Sequence, residues 1–399
     1  MHNAASPSPT PTAAVTIRAA PRLFTLPLLL CALGNFLQGL AFNLYLHLPG
    51  FLKQLGAGEV RIGVIFGVTA AMAIVVRPWL GRAMDERGRR TMILAGGVLN
   101  VAVCLLYLTV HSLGVWVYVV RLGHGIAEAT LFAAFFTLAA DLVPAARRTE
   151  GIALFGVSGM LPISLGGLLG DVILAHADYS ALFAAAAVLA AASLLVSLPL
   201  RDQTLPPDEL PSRGFFAAVV QGNLLPVWFL GTVFATAISS YFTFVKTFVM
   251  TAGIGTVGGF FTAYALSATV LRLFFAWLPE RIGAKRALLA ALGALTLGLV
   301  LLAHAQHAGE ILVAGSLCGL GHGFVFPILS SLAVARARPA ERGAALSVFT
   351  ALFDAGALIG APAMGAIINL SSYATMFASA AALVVLGTLA FVVWDRGSG

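Results

Sequence analysis

Charged side chains are scarce in this sequence: Asp, Glu, Lys and Arg make up 10% of its 399 residues, while 60% are hydrophobic and the mean hydropathy is +0.97. That balance argues against a water-soluble domain, which at this length could not bury so much apolar surface without large exposed patches. Cysteine is nearly missing. The three present, Cys31, Cys104 and Cys318, fall inside apolar runs, where a disulfide framework has no place and a thiol acts as a small apolar group. There is no Gly-rich phosphate loop ending in Lys-Ser/Thr, which argues against ATP as an energy source, and no filter loop or ring of like groups of the kind a channel needs. The first apolar run follows Arg18 and Arg22, is too long for a signal-peptide core and lacks a clear small-residue cleavage site.

What remains is a series of apolar runs of roughly 20 residues, each long enough to cross a hydrocarbon core of about 30 Å as a helix. Twelve are predicted, near 24 to 48, 59 to 80, 91 to 111, 114 to 139, 149 to 174, 180 to 199, 222 to 249, 256 to 278, 286 to 304, 309 to 334, 343 to 369 and 373 to 394. The lipid bilayer is thus the expected solvent, and residues 1 to 21, rich in Ala, Pro, Ser and Thr, read as a disordered tail. The net charge of +7 raises the question of nucleic acid, and its distribution answers it. With the N-terminus inside, nearly all Lys and Arg between the spans lie on the inner side, while Lys53, Arg61 and Lys246 lie on the outer. This is the positive-inside pattern, with both termini cytoplasmic, an even number of spans, and charge that orients the chain instead of binding nucleic acid.

The stretch "GRAMDERGRR" at 81 to 90 concentrates charge in the turn predicted between spans 2 and 3. Its end, "ERGRR" at 86 to 90, is echoed by "ERIGAKR" at 280 to 286; "LGHG" at 122 to 125 recurs at 320 to 323, and "LGAG" at 55 to 58 has a counterpart in "AGIG" at 252 to 255. The offsets are all close to half the chain. They predict two six-helix repeats, 22 to 200 and 215 to 399, joined by a polar cytoplasmic linker at 201 to 214 and related by an axis along the membrane normal. The fold class is therefore all-α and integral to the membrane, with twelve spans in two pseudo-symmetric bundles.

Here the chain resembles the major facilitator superfamily, and within it the drug/proton antiporter-like subgroup, over nearly its whole length. Gly81, Asp85, Gly88, Arg89 and Arg90 are similar, position for position, to that superfamily's loop 2-3 signature. The resemblance implies a cytoplasmic latch, with Asp141 at the end of span 4 as acidic partner of the arginines. In the second repeat Pro279 stands where Asp85 would align, so the latch is asymmetric. "RLGHG" in span 4 is similar to the family's Arg-x-x-Gln-Gly pattern, with His124 in place of glutamine; the matching arginine, Arg121, is implied in proton coupling or substrate binding.

Arg121, His124, Gly125 and Glu128 share one helix face by their spacing. A charged group at mid-bilayer costs about 2.5–3.5 kcal/mol on insertion scales, so this face should line a cavity, unless Arg121 and Glu128 simply neutralise each other. Span 10 brings His322, and span 11 brings Asp354 on a face with Ser347 and Thr350. Asn35, Gln38, Phe42 and Tyr45 form a stripe on span 1, and Ser239, Phe242 and Lys246 one on span 7, with Lys246 placed to snorkel. The expected function is a secondary transporter working by alternating access, monomeric, in a bacterial-type inner (plasma) membrane, with no cofactor and no metal. Glu128 and Asp354 are the expected protonation sites, with Arg121 as charge partner and His124 and His322 hydrogen-bonding a small-molecule substrate. Glycine and proline patterns at Gly159, Pro162, Gly166 and Gly167, and at Gly356, Gly360, Pro362 and Gly365, resemble those of proton-exchanging exporters and tilt the reading to efflux. Two alternatives stand beside it: proton-coupled uptake of a sugar or organic acid, and an intramembrane serine hydrolase using Ser158 of "GVSG" with His124 or His322 as base.

Overall fold

The computed structural model describes residues 23–144, 147–202, 214–338 and 341–395, except the side chains of Asp85, Arg148, Thr149, Glu150, Ala153 and Leu154. The expected tail and nearly all of the linker lie outside the described residues. Twelve helices are long and apolar enough to cross a membrane, and no strand occurs among the described residues. We number them α1 (Leu26–Asn43), α2 (Glu59–Arg87), α3 (Arg89–Leu106), α4 (Val115–Leu142), α5 (Arg148–His176), α6 (Tyr179–Ser197), α7 (Leu225–Ala252), α8 (Val257–Phe274), α9 (Ala284–His304), α10 (Ala308–Arg336), α11 (Arg342–Leu370) and α12 (Tyr373–Trp394).

Helix starts follow local chemistry. Thr25, Asp178, Thr256 and Ser372 accept first-turn backbone N–H groups, and His307 with Glu310 forms a capping box. Two departures from the sequence reading have equally local causes. The first span tightens into a 3-10 turn at Leu44–His47 and resumes as Leu48–Gln54, where Pro49 has no N–H to give the preceding turn. The charged stretch 81 to 90 is not a loop. Residues 81 to 87 continue α2, and the reversal is made at Gly88, whose φ of 86° suits only glycine and whose absent Cβ leaves room for the Asp202 carboxylate. In the second repeat α8 ends earlier, a short helix Leu278–Ile282 follows, and Gly283 with φ 94° makes the matching reversal, which sets Glu280, not the expected Pro279, at the position of Asp85.

The packing repeats as the sequence does. In the first half α1 packs on α5 and α6, α2 on α4, and α3 on α4 and α6; in the second, α7 packs on α11 and α12, α8 on α10, and α9 on α10 and α12. The halves meet through α2 against α11 and α5 against α8, a reciprocal pair. Large apolar side chains such as Val98, Val188, Leu297 and Leu386 are exposed on α3, α6, α9 and α12. They would be a liability in water and are ordinary solvation in lipid.

The two ends of the bundle differ. At the end carrying Arg82 to Arg90, which we call the basic end, ion pairs and hydrogen bonds fasten each half to itself: Arg89 to Asp141, Arg90 to Asp202, and Arg336 to Asp395. At the opposite end the halves are sewn together. Lys53 pairs with Glu59 at 2.5 Å, and Glu59 accepts from the Tyr373 hydroxyl at 2.6 Å. Asp171 of α5 accepts the Gly258 N–H in the first turn of α8 at 2.6 Å. Gly63 lies so close to α11 that a Cβ there would run into the Ala361 carbonyl.

Candidate functional site

An ion pair crosses the interface between the halves in the middle of the spans. On α2, Arg77 donates from Nε and Nη2 to Asp354 Oδ2 on α11, at 2.7 and 2.5 Å. The side chains are only 13% and 20% exposed, so each charge depends on the other for compensation. Glu128 on α4 lies within electrostatic reach of Asp354 and accepts a hydrogen bond from the Gln38 amide on α1. Four helices from both halves thus converge on two carboxylates and one arginine. Such a group can exchange a proton, because protonating either carboxylate redistributes a charge that the surroundings hold weakly.

Arg121 does not join this group, and the expected pairing with Glu128 is not formed. Seven residues along a helix is about 10 Å of rise, and the guanidinium turns the other way. It donates to the Ile65 carbonyl at 3.2 Å and the Tyr107 hydroxyl at 3.2 Å, and stands 4.8 Å over the Phe66 ring. The charge partner of the site is Arg77, which was not among the expected site residues although an arginine in the interior of an apolar run is itself a signal of function.

The repeated histidines each meet a tyrosine, from different helices. His124 is fully buried, its Nδ1 3.1 Å from Tyr107 Oη, with Phe42 and Tyr45 edge-on to its ring and Nε2 without a partner. Half-buried His322 bonds through Nδ1 to the Tyr264 hydroxyl amid Phe234, Phe242, Phe326 and Phe353. Beside it Arg272 of α8 donates from Nε to the Gly323 carbonyl at 3.1 Å.

Other expected residues are placed less centrally. Tyr45 stands in the packed core, because the 3-10 turn rotates it out of register with Asn35, Gln38 and Phe42. Ser239 is buried where α7 crosses α11, its hydroxyl given to the Thr236 carbonyl. Asn35 donates to Ser158, whose own hydroxyl donates to the Phe155 carbonyl at 2.6 Å. Among the described residues Ser158 bonds only to Asn35 and the Phe155 carbonyl, with no histidine set against it as base, so the hydrolase alternative fails on geometry. Lys246 is half-buried between the halves beside Gly50, near Asp171, instead of snorkelling to a free surface.

At the basic end, Gly81 is exposed on α2, Arg89 Nε meets Asp141 Oδ2 at 3.0 Å, and Arg90 gives its N–H to Asp202 Oδ1 at 2.8 Å. The Asp85 side chain lies outside the described residues. Asp202 was not anticipated; its counterpart is Asp395, which takes two bonds from Arg336 at 2.8 and 3.0 Å.

Twelve spans in two packed repeats, with ionisable groups held where the halves meet, define a polytopic transporter. The family model for the Major Facilitator Superfamily matches residues 28–262 and 227–398, and the chain belongs to that superfamily. An uncharacterised MFS-type transporter of Pseudomonas aeruginosa (strain LESB58) is 27% identical over 355 residues, 87% of each chain. The staphylopine export protein of Staphylococcus aureus (strain Mu50 / ATCC 700699) is 23% identical over 375 residues, covering 90% of this chain and 93% of that one. Among solved structures, the nucleoside transporter NupG superposes with a TM-score of 0.77 at 15% identity, over 94% of this chain and 100% of that chain. The POT family transporter PepTSo gives 0.79 at 12%, over 94% and 98%. The chain is a membrane transporter, and its relatives and structural neighbours point to a non-enzyme.

Proposed function

We propose that the protein is a proton-coupled exporter of small organic molecules, working by alternating access as a monomer in a bacterial inner membrane with its basic end in the cytoplasm. The observation that carries this reading is the Arg77–Asp354 pair between the halves, with Glu128 beside it. A proton arriving on Asp354 releases Arg77, which loosens α2 from α11 and changes what the site can hold. The basic residues orient the chain, and the state described, sealed at the opposite end, is then the one that opens to the cytoplasm. The relative named as an exporter supports the direction.

The test uses everted membrane vesicles acidified inside by respiration, with a pH-sensitive dye, and a panel of amphipathic amines, organic acids, sugars and amino acids. A substrate is expected to dissipate the gradient with the native protein and not with Glu128→Gln or Asp354→Asn. If both variants respond like the native protein, these carboxylates do not couple protons. Accumulation of the same compound by energised intact cells would reverse the direction to uptake.

A further inference from the structure

The repeat places a second arginine where Arg77 has its mate. "VVRPWL" at 75 to 80 on α2 corresponds to "VLRLFF" at 270 to 275 on α8, so Arg272 is to the second half what Arg77 is to the first. The counterparts differ in one respect. Arg77 has Asp354, whereas Arg272 has no carboxylate among the described residues: its Nε is given to the Gly323 carbonyl, and its terminal nitrogens have no acceptor among those residues and are not sealed from solvent. Arg121, the third arginine within the spans, is 3% exposed and satisfied by a carbonyl, a phenol and a ring face. Arg272 lies in the last turn of α8, fifteen residues and about 22 Å along the helix from its start at the sealed end, and reaches toward α10.

A guanidinium cannot shed its proton, and a half-buried one whose terminal donors lack a protein acceptor is open to an anion from elsewhere. Its free terminal nitrogens present parallel donors that match a carboxylate or another oxyacid, and the Tyr264–His322 pair adjoins them. Phe234, Phe242, Phe326 and Phe353 gather around His322, so an apolar or aromatic body attached to that anion would find ring surface next to the charge.

We infer that Arg272 is an anion subsite, taking the carboxylate of an organic acid or zwitterion whose apolar body rests on the aromatic cluster around His322. This rests on the transporter reading above and names its substrate class. It does not depend on direction or proton coupling.

The experiment is equilibrium binding to the full-length protein in phosphatidylcholine nanodiscs, where no gradient exists. The probes are two acid and amide pairs: 3-phenylpropionate with 3-phenylpropanamide, and indole-3-acetate with indole-3-acetamide. Each acid is expected to bind roughly tenfold or more tighter than its amide, about 1.4 kcal/mol. Arg272→Gln should reduce that ratio to near one, Arg272→Lys should keep part of it, and Arg281→Gln at the basic end should leave it intact. Equal binding of acid and amide to the native protein, no acid binding by about 10 mM, or a ratio that survives Arg272→Gln would each overturn the inference. A lipid phosphate offers the same chemistry, so phosphatidylglycerol nanodiscs form the second arm. Phosphatidylglycerol retained by the native protein in mass spectrometry, lost with Arg272→Gln and blocking the acids, would assign the anion to a headgroup and overturn the substrate subsite. The acid-to-amide ratio of the native protein decides the matter even if Arg272→Gln does not fold. Failure here leaves the vesicle assay free to succeed, and the reverse also holds.

Discussion

The two halves solve one problem in two ways. Each puts an arginine eleven residues before a glycine at positive φ, Arg77 on α2 ahead of Gly88 and Arg272 on α8 ahead of Gly283. The first half borrows a carboxylate from its partner, so that Arg77 and Asp354 pin the halves together. The second half leaves Arg272 to solvent and to whatever enters. The lesson is that a repeat conserves backbone and packing, while function comes from what the repeat fails to copy. A symmetric charge arrangement would compensate both arginines internally and leave nothing for a ligand to complete.

The sharpest way to break that comparison is to remove the borrowed carboxylate. Arg77→Gln or Asp354→Asn alone leaves a half-buried charge unpaired and is expected to cost about 3–5 kcal/mol, while the double variant should recover much of that loss. Unfolding by SDS titration in mixed micelles measures it. A double variant as damaged as the sum of the singles would show that the pair is not coupled.

A second comparison, between the sealed end and the basic end, is sharpened by Gly63. A leucine there forces α2 off the Ala361 carbonyl, at a cost of about 1–3 kcal/mol to the sealed arrangement. Labelling of a cysteine placed at Asn369, which packs near Gly58 at that end, should then speed up by roughly tenfold, a shift of about 1.4 kcal/mol. Unchanged labelling would mean that close packing of α2 on α11 does not hold this end shut.

The smallest effect is expected at the basic end. Arg89→Gln removes a partly exposed pair with Asp141 within one half, worth about 0.2–1 kcal/mol. Its influence should appear as altered transport rate more than as lost stability. A stability loss as large as that of Arg77→Gln would make the latch a structural element on the same footing as the mid-span pair.

Much of the molecule was legible in the residues. Spacing put His124 and Glu128 on α4 and His322 on α10, and the "ERGRR" echo paired the two segments in which the structure sets the Gly88 and Gly283 reversals. The misreadings have a common origin. Arg121 and Glu128 lie on one face of one helix, and periodicity along a single helix cannot say which neighbour a side chain turns toward. Tyr45 slipped from its stripe because Pro49 breaks the helix that the stripe assumed. Asp202 and Asp171 lie at the ends of spans, where their partners come from other segments.

The sequence by itself determined the solvent, the number of spans and the repeat, because hydropathy over a helix length and self-similarity are properties of the chain read along its axis. Only the tertiary structure decided that Arg77 belongs to Asp354, that Glu128 leans on Gln38, and that Arg272 has no counter-ion among the described residues. Those facts depend on distances between helices far apart in the chain, and a charge buried at an interface is compensated by whichever group the packing brings within a few ångströms.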